Sequence, residues 1–558
     1  MKIVIIGAVA GGASAAARAR RLDEDAEIVL IERGVEPSFA NCGLPYYVGG
    51  EIQSRDKLLV APAAQLRQRH RLDVRTQQEV TAINRAEQSV TVKDLKTGES
   101  YSETYDRLVI STGASPFRPP IPGIDGPYVL ELRDLVDADR MLELAVADRS
   151  RRAVIVGAGF IGIEVAENLV RRGLDVTLVE LADQILPPWD AEMVRPLEEH
   201  LRAEGVTLRL SDSAEAFGNC PPDDGNLTVK LKSGEVLSAC FAVVCIGVRP
   251  ESKLAADAGI ECGSRGGIVT NDHMQTNDPN IYAIGDVAQV KDFITGEPTQ
   301  IPLAGPANRQ GRIAADHIFG RSSAYRGTQG TAVVGVFGKT AAMTGHSEKL
   351  LKPAGRPYEK IYIHPTDHAG YYPGATQMTL KLLFNPEDGR IWGAQAVGTH
   401  GVDKRIDVIA MAIHAKMTVY DLEEVELCYA PQYGSAKDAV NMAGFVAAGV
   451  LRGDHPQVHW GDQANFSDSD SCVLLDVRSE AEFSQGHLPN ARNIPLEVLR
   501  ERLVELPRDC QIVPYCYVGQ RGYMATRLLL QKGFEANNLS GGYCLCRDSG
   551  KLNGSTSD

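Results

Sequence analysis

Cys42 has the setting of a working thiol. It stands in Pro37-Ser38-Phe39-Ala40-Asn41-Cys42-Gly43-Leu44-Pro45-Tyr46, beside Ser38, Asn41 and glycine, and not in the apolar surroundings where a free cysteine usually packs. No second cysteine lies within this stretch. Oxidation there must therefore be stored as a mixed disulfide, a persulfide or a sulfenic acid. A helix N-terminus at this thiol is expected to lower its pKa and sharpen it as a nucleophile. A second candidate, Cys516, opens Cys516-Tyr517-Val518-Gly519-Gln520-Arg521-Gly522 directly after an apolar strand pattern at 511–515. A thiolate in a loop whose N–H groups converge ahead of a helix can hold a terminal persulfide anion, and Arg521 adds positive charge.

The elements that must position Cys42 are nucleotide folds. An apolar strand at 2–7 runs into Gly7-Ala8-Val9-Ala10-Gly11-Gly12, then a helix over 15–21, then a strand over 27–31 ending at Glu32-Arg33. The turn and helix N-terminus receive a pyrophosphate and the carboxylate holds a ribose, although Val9 replaces the middle glycine of the usual fingerprint. A second copy runs from 153–156 through Gly157-Ala158-Gly159-Phe160-Ile161-Gly162 to 176–179 and Glu180. A carboxylate at that place repels a 2′-phosphate, so NADH is expected over NADPH. Thr276 and Asn280-Ile281-Tyr282-Ala283-Ile284-Gly285-Asp286 resemble the second flavin motif of two-dinucleotide disulfide reductases, where the aspartate meets the ribityl and phosphate region. Val109-Ile110-Ser111-Thr112-Gly113 and Val243-Val244-Cys245-Ile246-Gly247 resemble that family's crossover strands. The resemblance implies an FAD domain split in sequence around an NADH domain. Gly7, Ala8, Gly11, Gly12, Glu32, Arg33, Asn41, Cys42, Thr112, Gly113, Gly285 and Asp286 are its expected flavin contacts. Gly157, Gly159, Gly162 and Glu180 are the expected NADH contacts.

Ser-Phe-x-Asn-Cys-Gly-Leu-Pro-Tyr, together with Gly-Ala-Val-Ala-Gly-Gly at 7–12, closely resembles the coenzyme A disulfide reductases, over roughly residues 1–445. The related peroxidases and oxidases carry a histidine where this chain has Ala10, which weighs against peroxide chemistry. His368-Ala369-Gly370-Tyr371-Tyr372-Pro373-Gly374 and Tyr429-Ala430-Pro431-Gln432-Tyr433-Gly434-Ser435-Ala436-Lys437-Asp438 resemble the family's dimerisation domain. The resemblance implies a homodimer in which Tyr371 and Tyr429 reach the partner's site and assist the leaving thiolate; interface packing is their other reading. Coenzyme A carries several phosphates, so an acidic chain needs a local cationic site. Arg18, Arg21, Arg67, Arg69, His70 and Arg71 are the candidates. The resemblance favours Ser14, Arg18, Arg21, His70 and Lys437, with Ser38, Asn41 and Arg71 beside them.

Val473-Leu474-Leu475-Asp476-Val477-Arg478 and Glu482-Phe483-x-x-Gly486-His487-Leu488-Pro489, ahead of the Cys516 loop, resemble a rhodanese domain. Cys544-x-Cys546 offers a resolving thiol or a soft ligand, but one pair makes a poor zinc site and packing is the plainer reading. No metal is expected. The organisation expected is α/β: FAD-binding at 1–115 and 246–322, NADH-binding at 116–245, an α+β dimerisation domain at 323–445, a linker at 446–468 and rhodanese at 469–552, with a disordered polar tail at 553–558.

With 558 residues, 44% of them hydrophobic and 23% charged, the chain can build several cores. A net charge of −14 weighs against nucleic acid and anionic membranes as partners. No charge-free stretch is long enough to span a bilayer. The N-terminal apolar run is broken at Gly7 and reads as a strand, not a signal peptide. Eleven cysteines without paired spacing argue against a secreted disulfide framework, so the cytoplasm is expected. The chemistry expected is NADH-driven reduction of coenzyme A persulfide, polysulfide or coenzyme A disulfide. The rivals are an NADH oxidase or peroxidase cycling through sulfenic acid, and a redox sensor with a docking rhodanese.

Overall fold

The computed structural model describes residues 1–147, 151–219, 227–461 and 472–548. Part of the expected linker (462–468), the two ends of the expected rhodanese span and the polar tail at 553–558 lie outside the described residues. The chain forms two compact units: residues 1–183 with 205–330, and residues 184–204 with 331–558.

In the first unit, the strand Lys2–Ile6 is apolar after its first residue, as a strand covered on both faces must be. It pairs in parallel with Glu27–Glu32 on one side and Arg107–Ile110 on the other. Asp73–Thr76 and Ile281–Ala283 complete a five-stranded parallel sheet. The last of these strands arrives only after the chain has built a second parallel sheet around Arg152–Val156, with Asp175–Glu180, Thr207–Leu210, Phe241–Val244 and Val129–Leu130. One nucleotide fold is thus inserted within another, as the motif order predicts. Both sheets carry their glycine turns at the C-terminal ends of their central strands, where ligands bind in doubly wound folds.

The second unit holds a five-stranded antiparallel sheet, in the order Ala332–Val336, Lys339–Gly345, Ile391–Gly398, Thr379–Phe384 and Glu359–Ile363. Helices Val402–His414 and Ala439–Leu451 pack on it. Residues 184–204 fall within the stretch read as NADH-binding, yet belong to this unit. The reason is electrostatic. Lys381 is fully buried, and its ammonium meets Asp190 at 2.8 Å, Glu192 at 2.5 Å and Glu348 at 2.5 Å. A buried ammonium must be paired, and two of its three partners sit on this segment.

Cys472–Asp476 lies between Arg492–Asn493 and Gln511–Tyr515 in a small parallel sheet with its own apolar core. The stretch read as linker is partly built in. The apolar helix Ala439–Leu451 runs past residue 446, and Gln457–Val458 pairs in parallel with Asn538–Leu539. Buried His455 accepts from the Asn538 amide at 2.9 Å beside that pairing.

Candidate active site

The two glycine turns are braced alike. Glu32 accepts the Ala8 N–H at 2.9 Å and the Gly34 N–H at 2.7 Å. Glu180 accepts the Ala158 N–H at 2.7 Å and the Ala182 N–H at 2.8 Å. Gly157 has φ +107°, and a methyl group added at Gly159 would meet nothing within 4 Å, so the space before the second turn is open to a pyrophosphate. At the first sheet, Thr112 donates to the Glu251 carbonyl at 2.8 Å and Arg33 to the Glu251 carboxylate at 2.6 Å. The Gly285 N–H donates to Gln310 at 2.7 Å. Burial raises the Asp286 carboxyl, which takes no hydrogen bond from a described side chain. A half-buried acceptor of this kind fits a polyhydroxylated ligand such as the ribityl chain of FAD. The glycines, the two acids that brace the turns and Asp286 therefore suit FAD at the first sheet and NADH at the second.

Cys42 sits in the short turn Asn41–Gly43, ahead of helix Leu44–Gly49. Its N–H donates to Asn41 Oδ1 at 3.1 Å, and its Sγ lies 3.8 Å from the same oxygen. The thiol is not lowered as expected. Although the residue keeps an exposed face, desolvation by the surrounding protein pushes the thiol up most, and the carboxylates of Glu164 and then Asp286 push it further. Glu164 is itself raised by burial and accepts from the Tyr46 hydroxyl at 3.0 Å. Glu164 was missed in the sequence: it stands two residues past Gly162, and nothing in the local pattern places it beside Cys42.

A cavity of about 560 Å³ is lined by Cys42, Ser14, Arg21, Ser38, Asn41 and His70. The structure thus brings six residues predicted from separate segments to one space. Asn308 and Arg312 also line it, four residues apart on the helix Ala304–Ile318. Sequence reasoning missed both; the signal was a polar, basic i,i+4 face on a helix without an assigned role. Ser14 and Asn308 are hydrogen-bonded to each other. Burial and the arginines at 20, 21 and 69 lower His70, which leaves it neutral near pH 7 and able to hydrogen-bond but not to supply charge.

Other predicted basic residues stand elsewhere. Arg18 pairs with Asp316 at 2.6 Å, Arg71 with Glu24 at 2.9 Å, and Arg67 donates to the Val74 carbonyl at 2.6 Å. None of the three lines the cavity.

In the second unit, the hydroxyls of Tyr371 and Tyr429 are 2.7 Å apart, and both rings are exposed. Their two motifs are joined by the Ala369 N–H, which donates to the Pro431 and Gly434 carbonyls at 3.2 and 3.0 Å. Buried Arg405 ties Asp438 to the Asp367 carbonyl, both at 2.7 Å. Lys437 precedes that anchoring aspartate.

The Cys516 loop is differently made. Cys516 is 1% exposed, and its Sγ accepts the Gly519 N–H at 3.2 Å. Gly519 takes φ +96°, which folds the loop over the sulfur before helix Gln520–Gln531 begins. The charge of Arg521 is not free, because its guanidinium grips Glu482 through two hydrogen bonds of 2.9 and 2.7 Å. Cys544 Sγ lies 3.6 and 3.7 Å from the ring nitrogens of His364, and Cys546 is fully buried. Among the described residues, the one set of three grouped acidic ligands, Asp190, Glu192 and Glu348, converges on the Lys381 ammonium.

Residues 1–311 match the family model for pyridine nucleotide-disulphide oxidoreductases, residues 331–439 the model for that family's dimerisation domain, and residues 462–544 the model for rhodanese-like domains. The chain is 37% identical over 447 residues to a coenzyme A disulfide reductase of Staphylococcus aureus, which covers 80% of this chain and 99% of that one. A crystal structure of reduced Bacillus anthracis CoADR-RHD superposes with a TM-score of 0.95 at 47% identity, covering 98% of both chains. A NAD-dependent persulfide reductase from A. fulgidus gives 0.90 at 37% identity, covering 98% of this chain and 100% of that one.

Proposed function

Since the chain belongs to the pyridine nucleotide-disulphide oxidoreductase family, we propose that it is an FAD-dependent, NADH-oxidising reductase of coenzyme A persulfide or polysulfide and of coenzyme A disulfide. Its rhodanese domain handles sulfane sulfur. The observation that carries this reading is that one cavity is lined both by Cys42 and by Arg21 and Arg312. A thiol-tipped arm with phosphates at its far end needs a thiol partner and cations in the same space.

The Cys42 thiolate attacks the outer sulfur of coenzyme A persulfide. A new Cys42 S–S bond forms, the old one breaks, and coenzyme A leaves as its thiolate. FAD, which the turn at 7–12, Glu32 and Asp286 would hold, would supply two electrons drawn from NADH. Cleaving the Cys42 persulfide with those electrons releases hydrosulfide and restores the thiolate. With coenzyme A disulfide, the same attack leaves coenzyme A joined to Cys42 and frees one thiol; reduction frees the second.

Arg21, Arg312 and Asn308 hold the nucleotide end, and neutral His70 donates a hydrogen bond there. In a homodimer, the exposed hydroxyls of Tyr371 and Tyr429 reach the partner's cavity and donate to the leaving thiolate, with Lys437 nearby in sequence. The fused rhodanese favours persulfide as the working substrate, with Cys516 presenting or accepting its sulfur. No helix among the described residues is long and apolar enough to cross a membrane, and we place the enzyme in the cytoplasm.

The test is anaerobic NADH oxidation with coenzyme A persulfide and coenzyme A disulfide as rival acceptors, beside Cys42→Ser and Cys516→Ser. Persulfide should turn over faster, with release of sulfide, and Cys42→Ser should abolish both reactions. Turnover of hydrogen peroxide alone would overturn the reading.

A further inference from the structure

The rhodanese loop carries an arginine whose charge is already matched, and the matching acid is itself fixed. Glu482 lies at the third position of helix Glu480–Ser484, in a reciprocal capping box with Ser479. Its carboxylate accepts the Ser479 N–H at 3.2 Å and the Ser479 hydroxyl at 3.1 Å, while the Ser479 hydroxyl accepts the Glu482 N–H at 3.2 Å. The remaining capacity of the carboxylate goes to Arg521, in the two-pronged geometry that fixes a guanidinium plane. Arg521 and buried Arg478 are the cations whose fields reach Glu482. Arg478 is itself bound to Asp476 at 2.6 Å and lies 4.5 Å from the Tyr543 ring. Arg521 is the second residue of helix Gln520–Gln531, directly past Gly519, whose N–H binds the Cys516 sulfur, so it stands at the edge of the sulfur loop.

We infer that Glu482 is a positioning residue for sulfur transfer: it sets the direction of the Arg521 guanidinium toward the Cys516 sulfur and moderates its charge. The inference rests on Cys516 being the sulfane-sulfur carrier. Without the clamp, the guanidinium loses its fixed direction, and transfer slows.

Glu482→Gln separates this effect from folding, because glutamine also closes a capping box at this position. In the full-length protein, thiosulfate is the sulfur donor and cyanide the acceptor. Glu482→Gln should lower kcat on the order of tenfold with little change in KM. Glu482→Asp, which retains the charge but not the reach, should restore only part of the rate. In an Arg521→Met background, Glu482→Gln should be silent. An unchanged kcat, a loss that lies in KM, or an effect of equal size in that background overturns the inference. If Cys516→Ser transfers sulfur as well as wild type, it is the reading of the loop as a sulfur carrier that fails.

Discussion

The two reactive thiols solve the same problem in opposite ways. Cys42 opens onto a cavity, yet burial and two carboxylates oppose its ionisation, and no cation touches its sulfur among the described residues. Cys516 is closed in, but its sulfur receives a backbone N–H, and Arg521 stands in the first turn of the helix that follows its loop. Cys516 therefore has a protein-made anion site, whereas the walls around Cys42 leave that task to what binds there. This difference suits their proposed roles. A carrier must stabilise a persulfide at rest, while a redox thiol gains from being poised only when cofactor and substrate are in place.

The largest break of the comparison comes from removing the built-in cation. Arg521→Met keeps an apolar stem of similar reach and deletes the charge. Thiosulfate-to-cyanide transfer should fall about a hundredfold, the scale for losing one preorganised charge-stabilising group. NADH-driven reduction of coenzyme A disulfide, the reaction proposed for Cys42, should stay at the wild-type rate. A parallel loss in both assays would show that the two thiols are not independent in this sense.

Acid should separate the regions next. His455, in the segment that leads into the rhodanese fold, is buried, lies with its ring centroid 4.3 Å from that of Tyr523 at a tilt of 37°, and accepts from Asn538. Burial, helped by Arg527, lowers it from 6.5 to about 4. A histidine held neutral in the fold but protonated in the unfolded chain contributes stability that is fully present above about pH 6.5. That contribution is lost progressively as the pH falls from there through about 4. The loss should amount to about 2 kcal/mol after allowance for the remaining solvent. Urea unfolding followed at Trp460, between pH 7 and 4.5, should show this slope in wild type, and His455→Asn should remove most of it. An unchanged slope would mean that carboxylates elsewhere carry the acid sensitivity.

How far all this was legible depended on whether the information was local. The glycine turns, Glu32, Glu180 and the Gly285-Asp286 strand end were readable because each turn and the acid that braces it belong to one strand–helix–strand unit continuous in sequence, and the strand end is itself a local pattern. Arg21 and His70 could be proposed, but not sorted from Arg18 and Arg71, because the sorting rests on Asp316 and Glu24, each far along the chain from its partner or in another element. Lys381 gave no signal at all: it sits in an apolar strand pattern, and its three acids come from two distant segments. The expected lowering of Cys42 failed because desolvation, which the local pattern does not show, acts on it most strongly, with Glu164 adding to it from the inserted nucleotide fold.

That reversal gives the smallest and sharpest test. Glu164→Gln removes one negative charge facing Cys42 and keeps an oxygen to accept from Tyr46, so local geometry should survive. The carboxylate opposes the thiolate, and its loss must therefore favour ionisation. The iodoacetamide labelling midpoint of Cys42 should drop by at most about one pH unit, because burial, not Glu164, is the larger cause of its elevation. The Cys516 peptide, labelled in the same sample, should show no shift and so serves as the internal reference. A drop confined to Cys42 means that its poise is set by acids brought from another nucleotide fold. No drop would mean that desolvation alone governs it, and that an occupant of the site must then do by displacing or ordering solvent what Arg521 does at Cys516 by charge.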